Sequence, residues 1–204
     1  ANLKGLRIGV PKEYFIDGCD PEVMACVRKS IDMCANAGAE VHEISLPHTE
    51  YAIAVYYICA TAEASANLAR FDGIRYGFRK VGPEGTLQSL YDRSRTDGFG
   101  KEVKRRIILG TYVLSSGYYD AYYNRALKAR TLIRNDFQKA FESCDVIMTP
   151  VAPTAAYKLN STVNDPLKAY LGDIFTVPAN LAGICGISIP CGQTSENLPV
   201  GLQL

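Results

Sequence analysis

Three groups of residues in this 204-residue chain have types and spacings that could do chemistry. The first is a pair of charges. Arg106 and Asp173 each border an apolar helical stripe, Arg106 beside Val113 and Asp173 beside Val177. A half-buried charge needs a partner, which can be a protein group or a charged ligand. On the residues alone, pairing within the protein is the simpler account. The second is Ser115-Ser116-Gly117, where a hydroxyl could act as a nucleophile. It sits at a helix-to-helix junction, and serines cap helices there for ordinary hydrogen-bonding reasons, so capping is the expectation. The third is His42 and His48, which flank a strand-like segment and are expected to be a strand and a loop residue rather than a general base.

Several chemistries are excluded. No Walker or Rossmann glycine loop is present, and Gly183-Ile184-Cys185-Gly186 lacks both the lysine and the dinucleotide spacing. No GxSxG elbow occurs. The seven cysteines (19, 26, 34, 59, 144, 185 and 191) form no CxxC pair, which with two histidines argues against a metal site and for a reduced, cytoplasmic setting. Lys101, Lys104, Arg105 and Arg106 imitate a nucleic-acid patch, but helical phase turns Lys104 and Arg105 to solvent. A net charge of +1 gives no whole-chain grip on nucleic acid or anionic lipid. No apolar run approaches the roughly 20 residues that a membrane helix needs, so no membrane partner is expected.

The elements that must position these residues follow from periodicity. Residues 6–10 predict a buried strand. Asp20-Pro21-Glu22 predicts a helix start, with Val23, Val27, Ile31 and Cys34 on one face and Gly38 at the end. Residues 41–46 alternate, Ile44 and Leu46 against Glu43 and Ser45, so strand, helix and strand make a βαβ unit. Residues 50–69 predict a helix apolar on two faces: Val55, Cys59, Ala62 and Ala66 on one, Ile53, Tyr57, Ala60 and Ala64 on the other. Residues 71–100, with six glycines, predict a loop or short helix. Two long helices follow, over 101–115 and 119–141. Arg130 lies within the stripe of the second, among Tyr123, Ala126, Ile133 and Phe137, and is expected to be buried and paired. Residues 145–150 predict one buried strand. Asp165-Pro166 should start a helix with Leu167, Tyr170, Leu171 and Ile174 inward, which Pro178 kinks or ends. Residues 187–189 and 200–204 predict the last strands. The fold class is α/β, a mixed β-sheet covered by helices. A chain that opens on Ala1 and stops in a strand-like run is expected to be a fragment of a longer one.

Long runs resemble a known family. Lys4-Gly5-Leu6-Arg7-Ile8-Gly9-Val10-Pro11-Lys12-Glu13-Tyr14 is similar to amidase-signature enzymes. Arg70-Phe71-Asp72-Gly73-Ile74-Arg75-Tyr76-Gly77, the run from Gly110 to Tyr123 and the run from Asp173 to Gly183 resemble in particular the glutamine-hydrolysing subunits of tRNA-dependent amidotransferases. The likeness extends over residues 4–204 and implies an incomplete amidase-signature fold, with the chain as the C-terminal part of the domain. The resemblance implies a Ser-Ser-Lys relay whose Gly- and Ser-rich motif does not occur here, so no catalytic residue is expected within residues 1–204. It implies a grip on free glutamine by Tyr57, Arg106 and Asp173, with arginine on the α-carboxylate and aspartate on the α-ammonium. It further implies a heterotrimer in which a B subunit uses ATP and magnesium to activate misacylated tRNA and a C subunit clasps the two. No cofactor is expected in this chain, and tRNA is expected to bind mainly through the B subunit. One departure is Cys185, where the family commonly carries proline. Another small-amide hydrolase of the same family, or a non-enzymatic binding module, are the competing expectations.

Overall fold

The computed structural model describes residues 2–16, 18–159, 161 and 170–204. Asp165, Pro166 and Leu167, expected at a helix start, lie outside the described residues. The chain divides into two compact units, one made of Ala1–Ile53 with Ala129–Leu204 and the other of Ala54–Lys128.

In the first unit, β1 (Arg7–Pro11) is the central strand of a parallel three-stranded sheet. It pairs with β2 (Glu40–Ile44) from Arg7↔Glu40 to Pro11↔Ile44, and with β3 (Val146–Ile147) at Ile8↔Val146 and Gly9↔Ile147. Gly9 is required by crowding, because a Cβ there would lie 2.9 Å from both the Cys144 Sγ and the Ile44 Cδ1. The crossover is α1 (Pro21–Asn36). The Asp20 carboxylate accepts from the Glu22 amide at 2.8 Å, and Pro21 occupies the first turn, where a missing N–H costs nothing. Val23, Val27 and Ile31 are buried, as their spacing requires. Ile8, Val27, Ile31, Ala39, Met148 and Leu202 form the core of this unit.

The 145–150 run is not one strand. Val146–Ile147 pairs with β1, whereas β4 (Thr149–Pro150) pairs antiparallel with β6 (Pro199–Gln203), which also pairs with β5 (Ser188–Gln193). Buried Met148 lies between the two segments, and its amide donates to the Gly9 carbonyl at 3.0 Å. One extended segment therefore serves a parallel and an antiparallel sheet, giving a mixed α/β architecture.

Pro178 does not end a helix. It lies in the first turn of α6 (Val177–Ala182), and residues 172–176 form turns that interrupt the expected stripe. Leu171, expected inward, is exposed as a result.

In the second unit, α2 (Ala52–Leu68, its first two residues in the other unit) buries Val55, Cys59 and Ala62, while Tyr57, Ala60 and Ala64 are half-buried. Ala66, expected on the buried face, is exposed. The glycine-rich stretch resolves into a loop and α3 (Leu87–Gly98), capped by the Thr86 hydroxyl, which accepts from the Ser89 amide at 3.1 Å. Next comes α4 (Lys101–Val113). The second long helix is shorter than its stripe suggests: a π-helical turn over Tyr119–Asn124 precedes α5 (Arg125–Ser143), which belongs to the first unit from Ala129 onward, and Tyr119 is exposed.

Candidate functional site: the Arg106 guanidinium

The second unit holds Tyr57 and Arg106 together because α2 and α4 approach backbone to backbone. A Cβ at Gly110 would lie 1.9 Å from the Thr61 carbonyl oxygen, an approach only glycine permits. The contact is flanked by a hydrogen bond between the Ser65 and Thr111 hydroxyls at 2.9 Å. Tyr57 and Arg106 each sit four residues before this contact, on α2 and α4 respectively. The Thr61 hydroxyl also donates to the Tyr57 carbonyl at 2.5 Å.

The Arg106 side chain is 32% exposed. Its Nε donates to Glu102 Oε1 at 3.0 Å, an i,i+4 ion pair on α4, and its Nη1 donates to the Tyr56 hydroxyl at 3.3 Å. The guanidinium carbon lies 5.8 Å from the centre of the Tyr57 ring, within cation–π range. The Tyr56 hydroxyl and then Glu102 raise the Arg106 pKa above its ordinary value, against an opposing effect of burial, so the cation is fixed. The Tyr56 and Tyr57 rings meet edge to face at 5.1 Å. This arrangement can do what a planar cation does well: receive a carboxylate on two parallel N–H groups beside an aromatic wall.

Asp173 belongs to the other unit. It lies in the turn before α6 and is exposed rather than half-buried, because the stripe that it was expected to border is broken there. Its backbone carbonyl accepts from the Thr176 and Val177 amides at 3.1 and 3.0 Å.

Two participants escaped the sequence reading. Glu102 carries a usable signal, since Glu four residues before Arg is a favourable helical pair. Tyr56 carries none that separates it from Tyr57.

The other candidates settle into structural roles. The Ser115 hydroxyl donates to the Tyr112 carbonyl at 2.7 Å at the end of α4, and Gly117 follows with φ +86°. His48 places Nδ1 3.0 Å from Asp136 and donates its backbone amide to the same carboxylate at 2.8 Å. His42 lies in β2, and its buried Nε2 has no hydrogen-bond partner among the described residues. Arg130, expected buried, is half-buried, and its Nε donates to the Leu181 carbonyl at 2.9 Å. Tyr112, Tyr118 and Tyr122 form an exposed ladder of rings, and the hydrogen bond with Tyr118 pushes the Tyr112 hydroxyl up to about 12. No disulfide joins any of the cysteines among the described residues, and Cys185 is exposed. Among the described residues no three His, Cys, Asp or Glu side chains gather as a metal-binding group, and no helix is long and apolar enough to cross a membrane.

The family model described as Amidase matches residues 1–204. The chain is 61% identical, over its whole length, to 43% of the glutamyl-tRNA(Gln) amidotransferase A subunit of Acidobacterium capsulatum. It is 58% identical, over 99% of its length, to 41% of the A subunit of the same enzyme from Geotalea daltonii. The crystal structure of the glutamyl-tRNA(Gln) amidotransferase A subunit from Thermotoga maritima superimposes with a TM-score of 0.72 at 36% identity, covering 99% of this chain and 38% of that one. An amidase crystal structure at 20% identity and the same TM-score shares the fold. The chain thus spans about two-fifths of the length of the curated relatives it matches.

Proposed function

This chain belongs to the amidase family, and from that membership we propose that it is the substrate-gripping part of the glutaminase subunit of a tRNA-dependent amidotransferase. The reaction is hydrolysis of the glutamine side-chain amide. The ammonia released converts Glu-tRNA(Gln) to Gln-tRNA(Gln), or Asp-tRNA(Asn) to Asn-tRNA(Asn). The observation that carries the reading is the Arg106 guanidinium held against Tyr56, Tyr57 and Glu102, in a chain close in sequence throughout to proteins of that description.

The division of labour follows from the chemistry. Free glutamine presents an α-carboxylate and an α-ammonium, and a peptide or fatty amide presents neither, so a fixed cation selects the free amino acid. Arg106 takes the α-carboxylate, and Tyr57 walls the site. The Ser-Ser-Lys relay that attacks the amide belongs to the remaining three-fifths of the protein, with this chain its C-terminal part. In that relay a lysine accepts the nucleophile's proton through a bridging serine. A partner B subunit binds ATP and magnesium, activates the tRNA-borne carboxylate and receives the ammonia. A small C subunit holds the two together. The setting is cytoplasmic.

The experiment is glutamine-dependent and ammonia-dependent amidation, measured side by side on the full-length enzyme carrying Arg106→Ala. Losing a charge-assisted hydrogen bond costs about 1.5 to 3 kcal/mol, so KM for glutamine should rise roughly ten- to a hundredfold, with the ammonia-dependent reaction retained. Equal loss of both activities would make Arg106 structural and refute the assignment.

A further inference from the structure

We propose that Glu102 and Tyr56 are positioning residues that aim the Arg106 guanidinium, leaving its Nη1–Nη2 edge to receive the α-carboxylate of glutamine end-on. The inference rests on the reading above that Arg106 binds that carboxylate. It adds which groups orient the cation and by which edge it works.

A guanidinium has five N–H donors and two edges that offer a parallel pair to a carboxylate. The side-on edge needs Nε and Nη2, and the end-on edge needs Nη1 and Nη2. The single Nε hydrogen is committed to Glu102 Oε1 at 3.0 Å, which closes the side-on edge. Nη1 gives one hydrogen to the Tyr56 hydroxyl at 3.3 Å and keeps the other, and Nη2 makes no hydrogen bond among the described residues. The fork that remains is Nη1–Nη2.

The two anchors come from different helices, Glu102 from α4 and Tyr56 from α2. Rotation about the Arg106 side-chain bonds would break at least one of them. The Tyr57 ring, 5.8 Å from the guanidinium carbon, restricts the cation further. The close approach of Gly110 to Thr61 ties the two helices to each other near these anchors.

Glu102 could instead act as a competitor, since a carboxylate beside Arg106 repels a second one. Its side chain is 46% exposed, so that repulsion is largely screened by solvent, whereas orienting the cation needs only the hydrogen bond. The two roles predict opposite changes in affinity.

The test uses the full-length protein in complex with its partner subunits and reads KM and kcat for glutamine. KM does not depend on the fraction of enzyme that is folded, which separates aim from stability. Glu102→Ala should raise KM about 3- to 10-fold, with kcat changed less than about twofold. Glu102→Gln keeps an acceptor oxygen and should return KM to within about twofold of the parent. Tyr56→Phe should raise KM about 2- to 3-fold, a smaller effect because its contact is longer. In an Arg106→Ala background, Glu102→Ala should add nothing further. An unchanged KM in Glu102→Ala, a KM that falls in both Glu102 variants, or an effect that persists in the Arg106→Ala background would each overturn the proposal. If Arg106→Ala by itself leaves KM unchanged, the glutamine-site reading fails as well. If Arg106→Ala raises KM and Glu102→Ala does not, only the positioning role fails.

Discussion

The Thr61 carbonyl oxygen occupies the space that a side chain at Gly110 would need, 1.9 Å from where its Cβ would stand. Gly110→Ala must therefore push α4 away from α2. Overpacking of this kind typically costs about 1 to 3 kcal/mol, and backbone atoms give less readily than side chains, so the upper end is expected. Urea denaturation of the full-length protein should show the loss. The same substitution should raise KM for glutamine, because Tyr56 and Arg106 stand on the two helices it separates. A variant with parental stability and KM would show that the helices do not need this contact.

Acid should weaken the first unit at the Arg7–Asp145 pair. Arg7 donates from Nη2 to Asp145 Oδ1 at 2.6 Å, and its backbone amide donates to Oδ2 at 2.9 Å. These bonds lower the Asp145 carboxyl from 3.8 to about 2. A carboxyl depressed on folding contributes stability that is fully present above its unfolded pKa and is lost as pH falls through the folded one. The contribution should therefore fade between about pH 4 and pH 2. Asp145→Asn should be less stable at neutral pH, and its difference from the parent should shrink across that window. A difference that stays constant down to pH 2 would assign the acid sensitivity elsewhere.

The cap on α1 should be worth measuring singly. Asp20→Ala removes the acceptor for the Glu22 amide and should cost about 1 kcal/mol, while Asp20→Asn should cost little. Denaturation midpoints at constant m-value distinguish the two.

Ser116 is exposed at the end of α4, and its neighbour Ser115 is bonded to the Tyr112 carbonyl. Ser116→Ala in the full-length enzyme should leave glutamine hydrolysis within about twofold of the parent, since surface substitutions change little. Loss of activity with unchanged stability would place a nucleophile where a helix cap is described.

The parts of the fold legible in the sequence are those whose signals are local. Asp20-Pro21 and the Val23, Val27, Ile31 spacing identify α1, and the alternation around Ile44 identifies β2, because cap and burial face are written within a few residues. The change of sheet at Met148 is not legible. An extended apolar run reads the same whether its partners are β1 throughout or β1 and then β6, and that choice is made by residues far away in sequence. Pro178 misleads for a related reason: a proline that can end one helix can equally open another, and only the turns at 172–176 decide. At the site, phase marks Arg106 as a half-buried charge, the family resemblance adds Tyr57, and i,i+4 spacing could have brought out Glu102. Tyr56 and Tyr57 are adjacent and both half-buried, so their roles are assigned by the packing of α4 against α2.

The pairing of β1 with β3 also sets a schedule for synthesis. Arg7 and Asp145, which close the end of that pairing, are 138 positions apart in the chain. At about 5 to 20 residues per second, β1 waits roughly 7 to 30 seconds on the ribosome for the strand that covers its second edge. β2 and α1 are made early and can protect one side, but the other side stays an open ladder of N–H and C=O groups while the whole 54–128 unit is translated. That interval is long against the microsecond formation of a hairpin, so the nascent chain passes through a state with an adhesive strand edge. Production of the intact protein should therefore be more sensitive to chaperone supply and growth temperature than the stability of the finished molecule would suggest.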